Sequence, residues 1–166
     1  LIIKIFDNQN ETVIKVKKSI NIINEVLVQL FNDILTIEQT ALKEGAFNDI
    51  SITEMHTIEA IGMYVPRTMS EVANDLGITV GTLTIAINNL VKKQYVERQR
   101  WDQDRRVVKI ALTRKGKLAY RIHKKFHSDM VKATIEGLDE KEEDVLASAL
   151  EKLNEFFRSK YNIKKG

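Results

Sequence analysis

The segment Leu76-Gly77-Ile78-Thr79 constrains this chain more than any other, because it forms a turn between two short amphipathic helical patterns. Thr68-Met69-Ser70-Glu71 before it is a capping box, in which the threonine and glutamate side chains each satisfy an orphan N–H of the helix start. Val72, Ala73 and Leu76 then line one inner face. Thr79 caps the next helix, whose Leu83, Ile87 and Leu90 recur at three- and four-residue steps and turn inward. That leaves Val80, Gly81, Thr82, Ile85, Asn88 and Asn89 on its outer face, which are short hydroxyl, amide and apolar groups rather than charges. A helix entering a major groove needs such short donors and acceptors to reach base edges. The pattern predicts a helix–turn–helix.

A two-stranded hairpin is predicted next, with strands near Tyr95–Arg100 and Val107–Leu112 and the tip DQDRR at 102 to 106. Carboxylates at a phosphate-facing tip would repel it, so Asp102 and Asp104 need a purpose. The simplest is that Asp104 holds Arg106 extended through a bidentate pair, aiming a guanidinium at a narrow minor groove. The alternative is a plain surface ion pair. Lys92, Lys93 and Arg98 are expected to point toward the nucleic-acid backbone, and the free N–H groups beside Thr79 toward a phosphate. From Thr79 to Lys117 there are ten Lys/Arg against three Asp/Glu, while Glu136 to Glu155 holds eight acids against two lysines. Charge gathered on the helix–hairpin unit suits a polyanion there, and double-stranded DNA is the partner it implies. A merely uneven solvated surface is the bland alternative.

The remaining chain reads as helices that bracket this unit. Residues 1–16 stand apart as an N-terminal extension: LIIKIF and TVIKV around Asp7–Glu11 allow a hairpin, or an extension with no role of its own. Residues 17–48 form a first helix, from about Lys18 to Lys43, whose apolar positions exceed one face and ask for a second subunit as cover. Within 49–112, the winged helix-turn-helix proper, Ser51-Ile52-Thr53-Glu54 is another capping box with Ile50 and Met55 as its staple, opening a helix to about Tyr64 before Pro66. In residues 113–166, Thr113 caps a long helix to about Glu136 with Leu118, Ile122, Phe126, Met130 and Ala133 inward. Leu138-Asp139 with Glu142 opens a last helix carrying a broad stripe from Val145 to Phe157. The expected class is mainly α with a small β-wing, dimeric through its long N- and C-terminal helices. The absence of cysteine excludes disulfides, a thiol nucleophile and thiolate metal sites. No apolar run approaches the roughly 18–20 residues of a membrane span, and no signal-peptide pattern opens the chain, so a cytoplasmic protein is expected. Neither a phosphate-cradling glycine loop nor a serine–histidine–acid set is present, so an enzyme is not expected.

The order of these elements, closing on DQDRRVVKIALTRKG, resembles the MarR family of winged-helix transcription regulators over about Ile20 to Phe157. The resemblance implies a homodimer on a pseudo-palindromic operator. It places the base-contacting helix on Thr79, Val80, Gly81, Thr82, Thr84, Ile85, Asn88 and Asn89, and the wing contact on Asp104, Arg105 and Arg106, with Arg106 entering the minor groove. Within the family, ISITEMHTIEAIG, GTLTIAINNLVKKQYVER and HKKFHSDMV are most similar to the branch that represses fatty-acid synthesis in low-GC Gram-positive bacteria. That implies an acyl chain on acyl carrier protein as corepressor. Lys124, Lys125 and Lys132 could dock such an acidic carrier, and a solvated helix face explains them equally well. Zinc is the other effector the residues allow. His123 and His127 are four apart and share one helix face. Similarity to zinc-sensing members adds Glu38 and His56 as an O/N ligand set. The second metal site of those members should be absent, since Glu44, Met55 and Ile122 fill its places. The alternative to zinc is a structural Glu–His network.

Overall fold

The computed structural model describes residues 2–101 and 104–161, with side chains described for 20–99 and 108–161. It divides into two compact units, residues 1–48 and 49–166.

The first unit is one long helix, α1 (Ile2–Glu44). The hairpin allowed by the β-branched runs around Asp7–Glu11 does not form, and the backbone there is helical. A helix satisfies its own N–H and C=O groups, whereas a lone two-stranded hairpin is marginal in water. Ile20, Ile23, Val26 and Phe31 are each more than half exposed, at 57 to 59%. Residues 20–44 are also long and apolar enough, by length and composition, to cross a membrane, against the expectation that no run comes close. Their apolar positions are dispersed around Glu25, Asp33 and Glu38, so no unbroken run betrays them.

The second unit contains α2 (Ile52–Ile61), β1 (Arg67–Thr68), α3 (Met69–Asp75), α4 (Val80–Lys92), β2 (Val96–Trp101), β3 (Asp104–Leu112), α5 (Arg114–Ile135) and α6 (Glu140–Tyr161). Both predicted capping boxes form: Ser51 accepts from Glu54 N while Glu54 accepts from Ser51 N, and Thr68 and Glu71 do the same. Thr79 accepts from Thr82 N and Thr113 from Gly116 N. Asp139 accepts from the N–H groups of Lys141 and Glu142, opening α6. One helix end differs from expectation. α2 stops at Ile61, not Tyr64, because Gly62 takes φ +75° and turns its N–H back onto Ile58 and Glu59 carbonyls. A residue without Cβ enters that left-handed region freely.

The strands form a three-stranded antiparallel sheet in the order β1-β3-β2, with Arg67 opposite Ile110 and Val96 opposite Leu112. The strands reach further toward the tip than the sequence suggests, and Trp101 pairs with Asp104 after a register shift. The core is the meeting of Met55, Ile58 and Ile61 from α2, Val72 from α3, Leu83, Ile87 and Leu90 from α4, Tyr95 just before β2, and Val96 and Ile110 from the sheet, none more than 2% exposed. Burying each aliphatic side chain contributes about 1.5–3 kcal/mol, so the sites that orient α4 are also the sites that hold this unit together.

α5 presents a different face from the expected one. Gly116, Ala119 and His123 are buried, Phe126 and Met130 are half-buried, and Leu118 and Ile122 are 46% and 47% exposed. Ala133 is exposed as well. The reason is close approach: a Cβ on Gly116 would lie 2.1 Å from the Tyr95 carbonyl oxygen, so the first turn of α5 sits directly on the backbone leading into β2. Small residues permit that approach, and they set the inner face instead of the larger Leu118 and Ile122. α6 buries no residue, and Val145, Leu150 and Phe156 stand 70%, 53% and 56% exposed.

Candidate nucleic-acid interface

α4 is held by its apolar face, with Leu83, Ile87 and Leu90 fully buried, so its opposite face is fixed outward. Gly81, Thr82, Asn88 and Asn89 are exposed there, Val80 is 44% exposed, and Ile85, at the middle of the face, is 67% exposed. The polar groups on this face are already partly committed. Thr79 Oγ1 accepts from Thr82 N at 3.1 Å and lies 2.9 Å from Thr82 Oγ1. Thr84, half-buried, donates its hydroxyl to Val80 O at 2.7 Å, so its proton is committed within the helix. Asn88 Oδ1 accepts from Arg98 Nη2 at 2.5 Å.

The expected cationic flank is smaller than the sequence implies. Lys92 is exposed. Lys93 instead turns in, donating from Nζ to both carboxylate oxygens of Glu54 at 2.9 and 2.7 Å. Glu54 is a buried carboxylate in the first turn of α2, and a lysine within reach is its natural counter-ion. Arg98 reaches Asn88 of α4. In the wing, Asp104, Arg105 and Arg106 lie at the start of β3. Their side chains, and with them the expected Asp104–Arg106 pair and Asp102, lie outside the described residues.

A second anchor, which sequence reasoning missed, ties the turn before α2 and the residue before β2 to the first turn of α5. Tyr95 donates its hydroxyl to Asp49 Oδ1 at 2.5 Å, Lys115 donates to Asp49 Oδ2 and to Lys93 O at 3.2 Å each, and the Lys115 ammonium lies 3.9 Å from the Tyr95 ring centroid. Burial works against the Asp49 charge, but the hydrogen bonds from Tyr95 and Lys115 and the lysine's charge outweigh it, so its carboxyl lies below the usual range. Burial and the bond to Asp49 push the Tyr95 hydroxyl upward. The TRKG run carried the one hint, a lysine beside a helix cap. Arg67 adds a further tie, donating to Ala60 O at 2.8 Å and pairing with Asp75 at 2.6 Å.

Of the four sequence-predicted metal ligands, Glu38 lies on α1 in the other unit, and the three histidines lie together in this one. His123 Nε2 is 3.1 Å from His127 Nε2 and 3.8 Å from Glu59 Oε1, and its ring centroid is 6.2 Å from that of His56. Burial, with the neighbouring His127 and His56, pushes His123 down to about 4, so it is neutral at pH 7. By reach, Glu59, His123 and His127 could share one cation, their ligand atoms lying within 4.8 Å of one another. Glu59 was not foreseen. It sits one turn after the staple residue Met55, where a helical period would have placed it beside His56.

Residues 50–108 match the MarR family. The chain is 46% identical to Streptococcus pneumoniae FabT in a crystal structure with DNA, which superposes with a TM-score of 0.79 over 84% of this chain and 97% of that one. The S. aureus MepR–DNA complex shares the fold, at TM-score 0.61 and 20% identity over 80% of this chain and 94% of that one. The HTH-type transcriptional regulator PchR of Bacillus subtilis (strain 168) is 25% identical over 123 residues, which are 69% of this chain and 73% of that protein. With its helix–turn–helix, its three-stranded wing sheet and this likeness in sequence, the chain belongs to the MarR family of winged helix-turn-helix transcriptional regulators.

Proposed function

We propose that this protein is a cytoplasmic, homodimeric repressor that places α4 in the major groove of a pseudo-palindromic operator and controls fatty-acid biosynthesis genes, with acyl-acyl carrier protein as corepressor. The observation that carries the reading is the outer face of α4: a rigidly seated helix that turns short groups and a 67%-exposed Ile85 outward, with no acid among them. An apolar side chain at that place suits a thymine methyl. The likeness to FabT, whose structure contains DNA, supports the duplex as ligand and the fatty-acid assignment. Arg106, with Asp104 and Arg105, is the wing contact in this reading, and Thr79 through Asn89 is the reading helix.

The dimer rests on two helices with exposed apolar side chains. α1 and α6 each expose a stripe that water does not tolerate over such a length, and a second copy would cover both. An effector changes DNA affinity only by binding one dimer geometry better than the other. The acyl group would favour the geometry that spaces the two α4 helices by one turn of DNA, about 34–36 Å. The exposed Lys124 and Lys132 of α5 are free to face an acidic carrier, whereas Lys125 is paired with Asp129 at 2.7 Å. A second reading, a zinc-responsive sensor, draws on the Glu59–His123–His127 grouping.

Shift assays on the promoters beside its own gene, with and without long-chain acyl-acyl carrier protein or zinc, test the proposal. Tighter binding with the acyl carrier supports it. An effect of zinc alone selects the metal reading, and no binding at low salt removes both.

A further inference from the structure

Asn88 faces outward from α4, one turn beyond Ile85, and its two amide ends are not equally available. Arg98, on the neighbouring strand β2, donates from Nη2 to Asn88 Oδ1 at 2.5 Å. A guanidinium has five N–H donors and no acceptor, so only the oxygen end of the amide can face it. The pairing therefore fixes the flip of the amide by chemistry. Nδ2 and its two hydrogens are the end left for a ligand.

An asparagine that reads adenine uses both ends: Oδ1 accepts from N6–H2 while Nδ2 donates to N7. Arg98 takes up one of the two lone pairs of Oδ1 and sets a cation's N–H groups beside the other, so an adenine N6–H2 brought to that oxygen meets like donors and the bidentate pair is disfavoured. A donor brought to an adenine edge also meets the N6–H2 donor next to N7, and like groups face each other. Guanine presents two acceptors side by side, N7 and O6, and suits a donor-only group.

We propose that Arg98 is a positioning residue for base recognition, which turns the donor end of Asn88 toward the base and so selects guanine over adenine at the base pair that Asn88 meets. The inference rests on the reading of α4 as the base-contacting helix. Specificity at that base pair is then set by a strand residue that need not touch the base. An arginine that served only as a phosphate contact would raise affinity for every sequence alike.

Binding selection from operators randomised across one half-site, with the parent protein, Asn88→Ala and Arg98→Met, tests the proposal. Arg98 is exposed, so the methionine variant should melt with the parent. The expected result is a guanine preference at one base pair in the parent, flattened by Asn88→Ala. Arg98→Met should shift that pair toward adenine by on the order of tenfold, as the freed oxygen restores the bidentate contact. If Asn88→Ala flattens no position, the reading of α4 itself falls. If it flattens one position at which the parent does not prefer guanine, or if Arg98→Met lowers affinity without moving the preference there, the role given to Arg98 is overturned while α4 remains the reading helix.

Discussion

Replacing Gly116 with alanine should destabilise the DNA-binding unit, although alanine is the better helix former. The added Cβ would lie 2.1 Å from the Tyr95 carbonyl oxygen and 3.1 Å from its carbon, with Leu112 Cβ at 3.3 Å. All but the last of these belong to backbone, so no side chain can rotate away. Real carbon–oxygen contacts begin near ~3 Å, so α5 and the backbone entering β2 must separate by roughly 1 Å. That movement strains two hydrogen bonds at the same oxygen, from Thr113 N at 3.0 Å and Thr113 Oγ1 at 3.2 Å. Overpacking of this kind costs about 1–3 kcal/mol, and the strained bonds about 1 kcal/mol each. The helix-propensity gain of about 1 kcal/mol offsets only part. A net loss of about 2–4 kcal/mol should lower the melting temperature by roughly 4–16 °C in a chain of this size. Gly137→Ala is the control, since its Cβ meets nothing within 4 Å and should be neutral or slightly stabilising. Both variants are to be melted at one protein concentration, because a dimer's midpoint depends on it. A Gly116→Ala protein that melts at or above the parent would refute the close packing argued for α5.

Three further outcomes follow from the same geometry. Lys93→Met should cost about 1–2 kcal/mol in urea unfolding, because it strands a Glu54 side chain that is only 9% exposed. Lys92→Met should leave stability nearly unchanged and instead reduce the salt slope of DNA binding by about two, one for each protomer. The pair of variants thus separates the inward lysine from the outward one. Asp49 has a folded pKa below its ordinary value of 3.8, so its contribution is present above that value and is lost as pH falls through the folded pKa. The stability gap between parent and Asp49→Asn should therefore be full at pH 7 and shrink below about pH 4, and a gap that widens in acid would contradict the network. Ile85→Ala should unfold within about 0.5 kcal/mol of the parent yet bind its operator more weakly, as shift assays would report.

What could be read from the sequence was what short stretches decide. Ser51/Glu54, Thr68/Glu71, Thr79 and Thr113 each act within one helical turn, so their caps were legible before any fold was known. Leu83, Ile87 and Leu90 fixed the inner face of α4, and with it the outer face, for the same reason. Contacts between distant residues were not legible. Lys93 meets Glu54 39 residues away, and nothing local distinguishes it from exposed Lys92. The inner face of α5 misled because large apolar side chains are the usual core signal, while here Gly116 and Ala119 admit a close backbone approach and leave Leu118 outside. The hairpin allowed for residues 1–16 rested on β-branched content alone, which a long helix overrides. At the candidate interface the outer residues of α4 were legible and the commitment of Asn88 to Arg98 was not, because that bond joins a helix to a strand.

The account turns on one helix reading duplex DNA by sequence. Its most direct test is the ratio of affinities for a promoter operator and for a scrambled duplex of the same composition, measured at physiological salt with the parent and with Ile85→Ala. The account predicts that the parent prefers the operator by about a thousandfold or more, and that the variant loses a large part of that ratio while keeping its salt dependence. Equal affinity of the parent for both duplexes would contradict it.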